Sequence, residues 1–309
     1  MLKSRIGVWI LVIILCVGGT YLVDNVPKWL DTTNINVSSE LSDSNIAENM
    51  LDNRYGKYRV KSKSGDYDVI FSTSKEEKTG YELKENLLYT PMVMYVEACV
   101  DDYEGGFIQQ EGQNDRKKID LYTVLTAMEK GKNWGDIGVE EEVVKDKIVL
   151  YIPNGKSWFY PAVEDLFYLT INNGKMPTEE ERTTLKERVD KILEKCEKVP
   201  DIAKAINDEY NENTKTGKVF IGPESLYLTS NGMSNSSNYN KFVPVYFTQT
   251  TFIRANVYIK TEYKDVNIAN DFVKTMQEKE DFMEDTGWRV KDSTFDIHKV
   301  SSRFIKVPT

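Results

Sequence analysis

The sequence predicts an α/β protein behind an N-terminal apolar segment. Three observations point there. Short apolar runs such as "YDVIFS", "KIVLYIP" and "FVPVYFTQT" have the length and character of strands in a covered sheet. They alternate with longer amphipathic stretches, of which "DLYTVLTAMEKGKNW" and "TEEERTTLKERVDKILEKCEK" are the clearest, and that alternation builds helices onto a sheet. Ahead of all of these, Ile6 to Val23 is an uncharged apolar run.

The elements follow in order. Lys3 and Arg5 precede the Ile6–Val23 run, and Asp24 follows it closely. Eighteen residues lie at the border between a signal-peptide core and a membrane-spanning helix. Basic residues on the near side keep residues 1–5 in the cytoplasm as a stub and send the rest outside. A lipoprotein would need a small residue before Cys16, where Leu15 stands, and no clear A-x-A cleavage site follows the run. An uncleaved single-pass anchor over residues 6–23 is therefore the expectation, with a cleaved signal or a lipoprotein as the alternatives. Residues 24–33 form a linker. "NINVSSEL" alternates like a strand, and "SDSNIAENMLDNRY" carries a cap and helical spacing. "KYRVKSK" and "YDVIFS" are strands, the second of a kind buried on both faces.

"LLYTPMVMYVEA" is a long apolar strand, broken at Thr90-Pro91. The polar stretch after it is a loop, and the helix from Asp120 turns Leu121, Val124, Leu125 and Met128 to one side. A strand at "KIVLYIP" leads into the helix of "SWFYPAVEDLFYLTINNG", with Pro161 in its first turn. Thr178 and Glu181 have capping-box spacing at the start of the next helix, and "DIAKAINDEY" continues as helix. "KVFIGPESLYL" is strand and loop, and "TSNGMSNSSNYN" is a polar loop. "FVPVYFTQT" and "RANVYIKT" are strands, and "IANDFVKTMQEKEDFMEDTGW" is helical.

Composition excludes several functions. The chain has 309 residues, a net charge of −9 and one histidine, His298. So acidic a chain lacks the basic face of a nucleic-acid binder. One histidine cannot build a Ser-His-Asp triad or a multi-histidine metal site. No cofactor is expected. Cys99 and Cys196 are the one pair outside the apolar run, and spacing leaves open whether they meet. The acidic runs "VEEEVVKDK" and "QEKEDFMED" lack the spacing of a calcium loop and read as solvated faces.

From Ile35 to Trp288 the order of elements resembles a bacterial extracellular solute-binding protein of the type II periplasmic-binding-protein-like fold. The phrases that carry the resemblance are "DVIFSTS", then "LLYTPMVMYV" crossing to a second lobe, then the corner "YIPNGKSWFYPAVEDLF", then the return through "FVPVYFTQTTF". It implies a two-lobe molecule, with residues 34–90 and 250–309 in lobe 1 and residues 91–249 in lobe 2. The first lobe is short, because the family has a helix where little sequence separates "KYRVKSK" from "DYDVIFS". The tail "MEDTGWRVKDSTFDIHKV" has no counterpart in the family pattern.

Candidate ligand contacts follow from where strands feed helices. Free backbone N–H groups and the helix dipole make such corners mildly positive. Ser72, Thr73 and Ser74 sit at one corner, and Ser157 and Trp158 at the matching corner of lobe 2. Hydroxyls there could hold an anion or a sugar; the alternative is ordinary helix capping, worth about 1 kcal/mol each. Tyr89 and Thr90 lie at the outward crossing, Thr248 and Gln249 at the return. The expected function is a membrane-anchored, non-enzymatic binder that captures a small polar or anionic solute between two lobes for an ABC-type transporter permease. The alternatives are a cell-surface sensor or interaction protein, and an envelope enzyme using a carboxylate pair.

Overall fold

The computed structural model describes residues 35–36, 55–62, 65–73, 80–97, 118–139, 147–211, 218–229, 242–260, 273–278, 283, 287–301 and 303–307. The apolar run Ile6–Val23, the linker, the helix read over Ser42–Tyr55 up to residue 54, the polar loops after Glu97 and after Thr229, and Cys16 and Cys99 lie outside the described residues. Among the described residues no helix is long and apolar enough to cross a membrane.

The chain is a mixed α/β protein. Its strands are β1 (Ile35–Asn36), β2 (Tyr55–Ser62), β3 (Gly65–Ser72), β4 (Tyr81–Glu97), β5 (Lys118–Ile119), β6 (Leu150–Pro153), β7 (Glu197–Val199), β8 (Val219–Pro223), β9 (Phe242–Phe247), β10 (Phe252–Lys260) and β11 (Arg289–Val290). Among the described residues its α-helices include α1 (Leu121–Glu129), α2 (Tyr160–Ile171), α3 (Glu179–Lys195), α4 (Ile202–Asn211) and α5 (Leu226–Thr229), and residues 273–278 are helical as well. The strands join in one sheet whose main path is β1-β2-β3-β10-β4-β8-β6-β7.

β4 is the spine of that sheet. It runs 17 residues without a break. On one edge it pairs antiparallel with β10 from Tyr81 to Pro91 and with β9 from Val93 to Glu97. On the other it pairs with β11 at Leu88 and Tyr89 and with β8 from Met92 to Val96. Both edges therefore change partner at the same level, Thr90–Met92. One strand group (β1, β2, β3, β10, β11) lies below this seam, and the other (β5 to β9) above it. β4 passes through, and β9 and β10 form a second, interrupted line across it, joined by Thr248–Thr251.

The break expected at Thr90-Pro91 does not occur. A strand residue points its N and its C=O to the same edge, and the Pro91 carbonyl accepts from the Glu224 N–H at 2.8 Å. The N–H that proline lacks faces the point where β8 has just ended, so little ladder bonding is lost. β3 is the strand expected at "YDVIFS", and it lies between two antiparallel neighbours, β2 and β10. A continuous apolar run reports burial and not the direction of its neighbours.

Helices α1 to α4 and the main core cluster sit on the upper group. α1 buries Leu121, Val124, Leu125, Ala127 and Met128, with Asp120 as its N-cap. α2 has Pro161 in its first turn, and α3 opens with the full Thr178–Glu181 capping box. Only Val189, Ile192 and Leu193 of α3 are buried; its remaining length is a charged outer face tied down by Arg182 to Asp165 and by Arg188 to Glu129 at 2.6 Å. Cys196, after α3, is a free, buried thiol that donates to the Ile192 carbonyl.

Candidate functional site at the seam of the sheet

Where β8 ends and β11 begins, end to end along β4, the chain buries an ion pair. Glu224 is fully buried and Arg289 nearly so. The guanidinium meets the carboxylate with both prongs, Nε to Oε2 at 2.6 Å and Nη2 to Oε1 at 2.5 Å. Nη2 also donates to the Ile305 carbonyl at 2.8 Å. The Tyr246 hydroxyl donates to Glu224 Oε1. Tyr95 Oη donates to the carbonyls of Pro223 and Glu224, at 2.7 and 3.2 Å. Such bidentate geometry with the remaining atoms satisfied is what makes a buried pair tolerable.

The electrostatics follow from burial. Burial alone would lower the Arg289 pKa, but the charge and hydrogen bonds of Glu224 outweigh it and hold the guanidinium protonated. Burial, reinforced by the Glu224 charge, pushes the Tyr246 and Tyr95 hydroxyls well above their ordinary value, so both stay neutral donors. Burial also raises Tyr89, against the pull of Arg289 beside it.

A second contact crosses the same seam. Trp158, in the corner between β6 and α2, stacks on the buried Trp288 with ring centres 6.3 Å apart and planes 23° apart. Next to it, Gly287 has φ of +70°, and a Cβ there would fall 2.5 Å from the Ser225 carbonyl oxygen. The backbones of the "TGWRV" and "GPES" phrases are thus pressed together.

The structure distributes the sequence-derived candidates as follows. Ser72 is buried at the last position of β3, opposite Tyr55 and Asn256. Thr73 is half-buried in the bend that follows, and Ser74 and the expected helix start lie outside the described residues. Ser157 is not the cap of α2. Phe159 holds that position, and Ser157 shapes the turn before it, its N–H donating to Asn154 O and its C=O accepting from Tyr160 N. Trp158 reaches the seam. So do Tyr89, the β4 partner of Arg289, and Thr90, whose Oγ1 accepts from the Ser225 N–H at 3.0 Å. Thr248 donates to the Ile119 carbonyl, and the exposed Gln249 lays its amide end over Gly174, where a Cβ would make that side chain swing aside. Their neighbours Thr250 and Thr251 tie the same loop to the Met92 and Ala162 carbonyls.

Sequence reasoning missed Glu224, Tyr246, Gly287, Trp288 and Arg289. One signal was present. "IGPESLY" is a strand-to-helix corner of the type read at "PNGKSWFY", with a carboxylate in the turn. Nothing local marks Arg289 as its partner across 65 residues. Among the described residues no cluster of three or more His, Cys, Asp or Glu could hold a metal ion.

No known protein family matches the chain, and no curated protein matches it. Solved structures do align. Glycosylated PEB3 aligns at a TM-score of 0.34 and 13% identity, over 67% of this chain and 68% of that one. The regulatory domain of MetR, a LysR family regulator from N. meningitidis, aligns at 0.28 and 10%, over 70% and 71%. The OxyR2 regulatory domain from Vibrio vulnificus aligns at 0.29 and 9%, over 71% and 70%. These are type II periplasmic-binding-protein-like domains. At such scores, the chain's own strand geometry has to carry any functional reading.

Proposed function

We propose that this chain is an extracytoplasmic ligand-binding protein of the type II periplasmic-binding-protein-like kind, held to the membrane by Ile6–Val23. It captures a small polar or anionic solute where its two strand groups meet and presents it to an ABC-type transporter. The observation that carries this reading is the double crossing: β4 and the β9–β10 line both pass the seam at Thr90–Met92, and each edge of β4 changes partners there. Two strands joining two groups is the connection a two-lobe binder needs for relative motion. The corners at Ser157-Trp158 and Glu224-Ser225 arrive at that seam, where ligands of α/β sheets gather. The reading requires no bond-making step, so the chain is not proposed as an enzyme.

The test is thermal unfolding of the purified full chain against oxyanions, sugars and amino acids. A solute present at a hundred times its Kd should stabilise the fold by about 2.7 kcal/mol. A saturable rise in midpoint that weakens in Ser157→Ala supports capture at the seam. A folded protein with no shift across the panel rejects it.

A second reading has its own support. The buried Glu224–Arg289 pair spans the seam, and a pair so desolvated resists separation. That favours a surface sensor or interaction protein that uses the fold without wide hinge motion.

A further inference from the structure

The tail has no place in the two-lobe resemblance, yet it touches both strand groups at the seam. Gly287 lies on the Ser225 backbone, Trp288 on Trp158, and Arg289 in the socket of Glu224 and Tyr246. Val290 continues as β11 on β4, and the Lys291 N–H donates to the Leu87 carbonyl at 2.8 Å. The chain then turns back. Phe304 packs edge-on against Tyr227 with ring centres 5.6 Å apart, and the Ile305 carbonyl accepts from Arg289. Phe304, Ile305 and Val307 join the core of the upper group. So one segment is a strand of the lower group and a core element of the upper one.

We infer that Gly287 to Val307 is a strap that clamps the two strand groups together at Pro91, with Arg289 as its latch in the Glu224–Tyr246 socket and Trp288 as its second anchor. Three features separate a strap from ordinary core. Its residues attach to both groups. The latch is a charge-assisted fork, which holds at one geometry and releases when either partner moves, unlike an apolar contact that can slide. Its glycine leaves no room for a shifted register, because the Ser225 backbone fills the space a side chain would need. The two strands that cross the seam would by themselves leave the groups hinged; the strap is a third tie, on the edge of β4 opposite to β9 and β10. This inference stands on the contacts alone and is independent of whether a solute binds.

Hydrogen exchange on the full chain, read by mass spectrometry, tests it with Arg289→Met. The strap predicts that exchange at residues 287–301 and at the seam amides of Met92 and Glu224 rises together by at least tenfold, while α2 and α3 keep their wild-type protection. Equal loss in α2 and α3 would make Arg289 a plain core residue and overturn the inference. A rise confined to 287–301, with the seam amides unchanged, would mean the segment clamps nothing, and no change anywhere would mean that Arg289 is no latch. If Arg289→Met does not fold, Arg289→Lys takes its place. A lysine keeps the charge but not the fork, so the same seam-confined rise is expected, and unchanged exchange overturns the inference.

Discussion

Gly287 offers a sharp test of the packing at the seam. Replacing it with alanine does two separable things. At φ of +70° the backbone sits in the left-handed region, which costs a residue with a Cβ roughly 1 kcal/mol more than glycine. The new methyl would also meet Ser225, 2.5 Å from its carbonyl oxygen and 2.9 Å from its Cα. Those are backbone atoms in a buried turn and cannot swing aside, so relief requires moving the turn, at about 1–3 kcal/mol for an overpacked site. The expected total is about 2–4 kcal/mol. An unfolding entropy of about 2.1 cal/mol/K per residue gives about 1.5 °C per kcal/mol for a chain of 309 residues, so a fall of roughly 3–6 °C is expected. Gly131 provides the control. Its φ is +66°, but a Cβ there meets nothing within 4 Å, so Gly131→Ala should lose only the backbone share. Urea unfolding of both variants beside the wild type, at matched slopes, separates the two contributions. Equal losses in the two variants would refute the close approach of Gly287 to Ser225.

Other consequences can be measured with the same material. Glu224→Gln strands a buried guanidinium and should destabilise by roughly 3–5 kcal/mol, whereas Glu224→Met with Arg289→Met together should cost less than either single change; strict additivity in that cycle would show the two are not coupled. Cys196 has its thiol pushed up to about 12 by burial, so at pH 8 it is neutral and should react with a thiol reagent only as the protein unfolds; fast labelling of Cys196 in the folded protein would contradict its burial. Glu129 is held below the ordinary glutamate value of 4.5, chiefly by its hydrogen bonds from Arg188. A lowered folded pKa gives stability that is present above pH 4.5 and lost as pH falls through the folded value. Arg188→Gln should therefore flatten that part of the acid limb, modestly because the pair is partly exposed to solvent; an unchanged acid limb would remove the pair from the account.

The elements that local chemistry fixes were legible in the sequence. The 3.6-residue period marked the buried side of α1, the Thr178–Glu181 spacing marked the start of α3, and Pro161 fell in the first turn of α2, because each depends on neighbours within a turn of chain. The strands at "YDVIFS", "KIVLYIP" and "FVPVYFTQT" were equally plain, since short runs rich in β-branched and aromatic residues favour strands wherever they fall. What the sequence left open was everything set by partners far along the chain. β3 turned out antiparallel because hydrogen-bond direction leaves no mark on side-chain pattern. Pro91 stays within β4 because another strand ends opposite the donor it lacks. Of the candidate hydroxyls, Thr90 and Thr248 already serve backbone groups, and a hydroxyl at a strand end reads the same whether it faces a ligand or a neighbouring amide. The Glu224–Arg289 pair is the extreme case. In sequence they are two charged residues among many, and only the fold, by ending β8 and starting β11 at one level of β4, withdraws both from water and makes each the other's necessary partner.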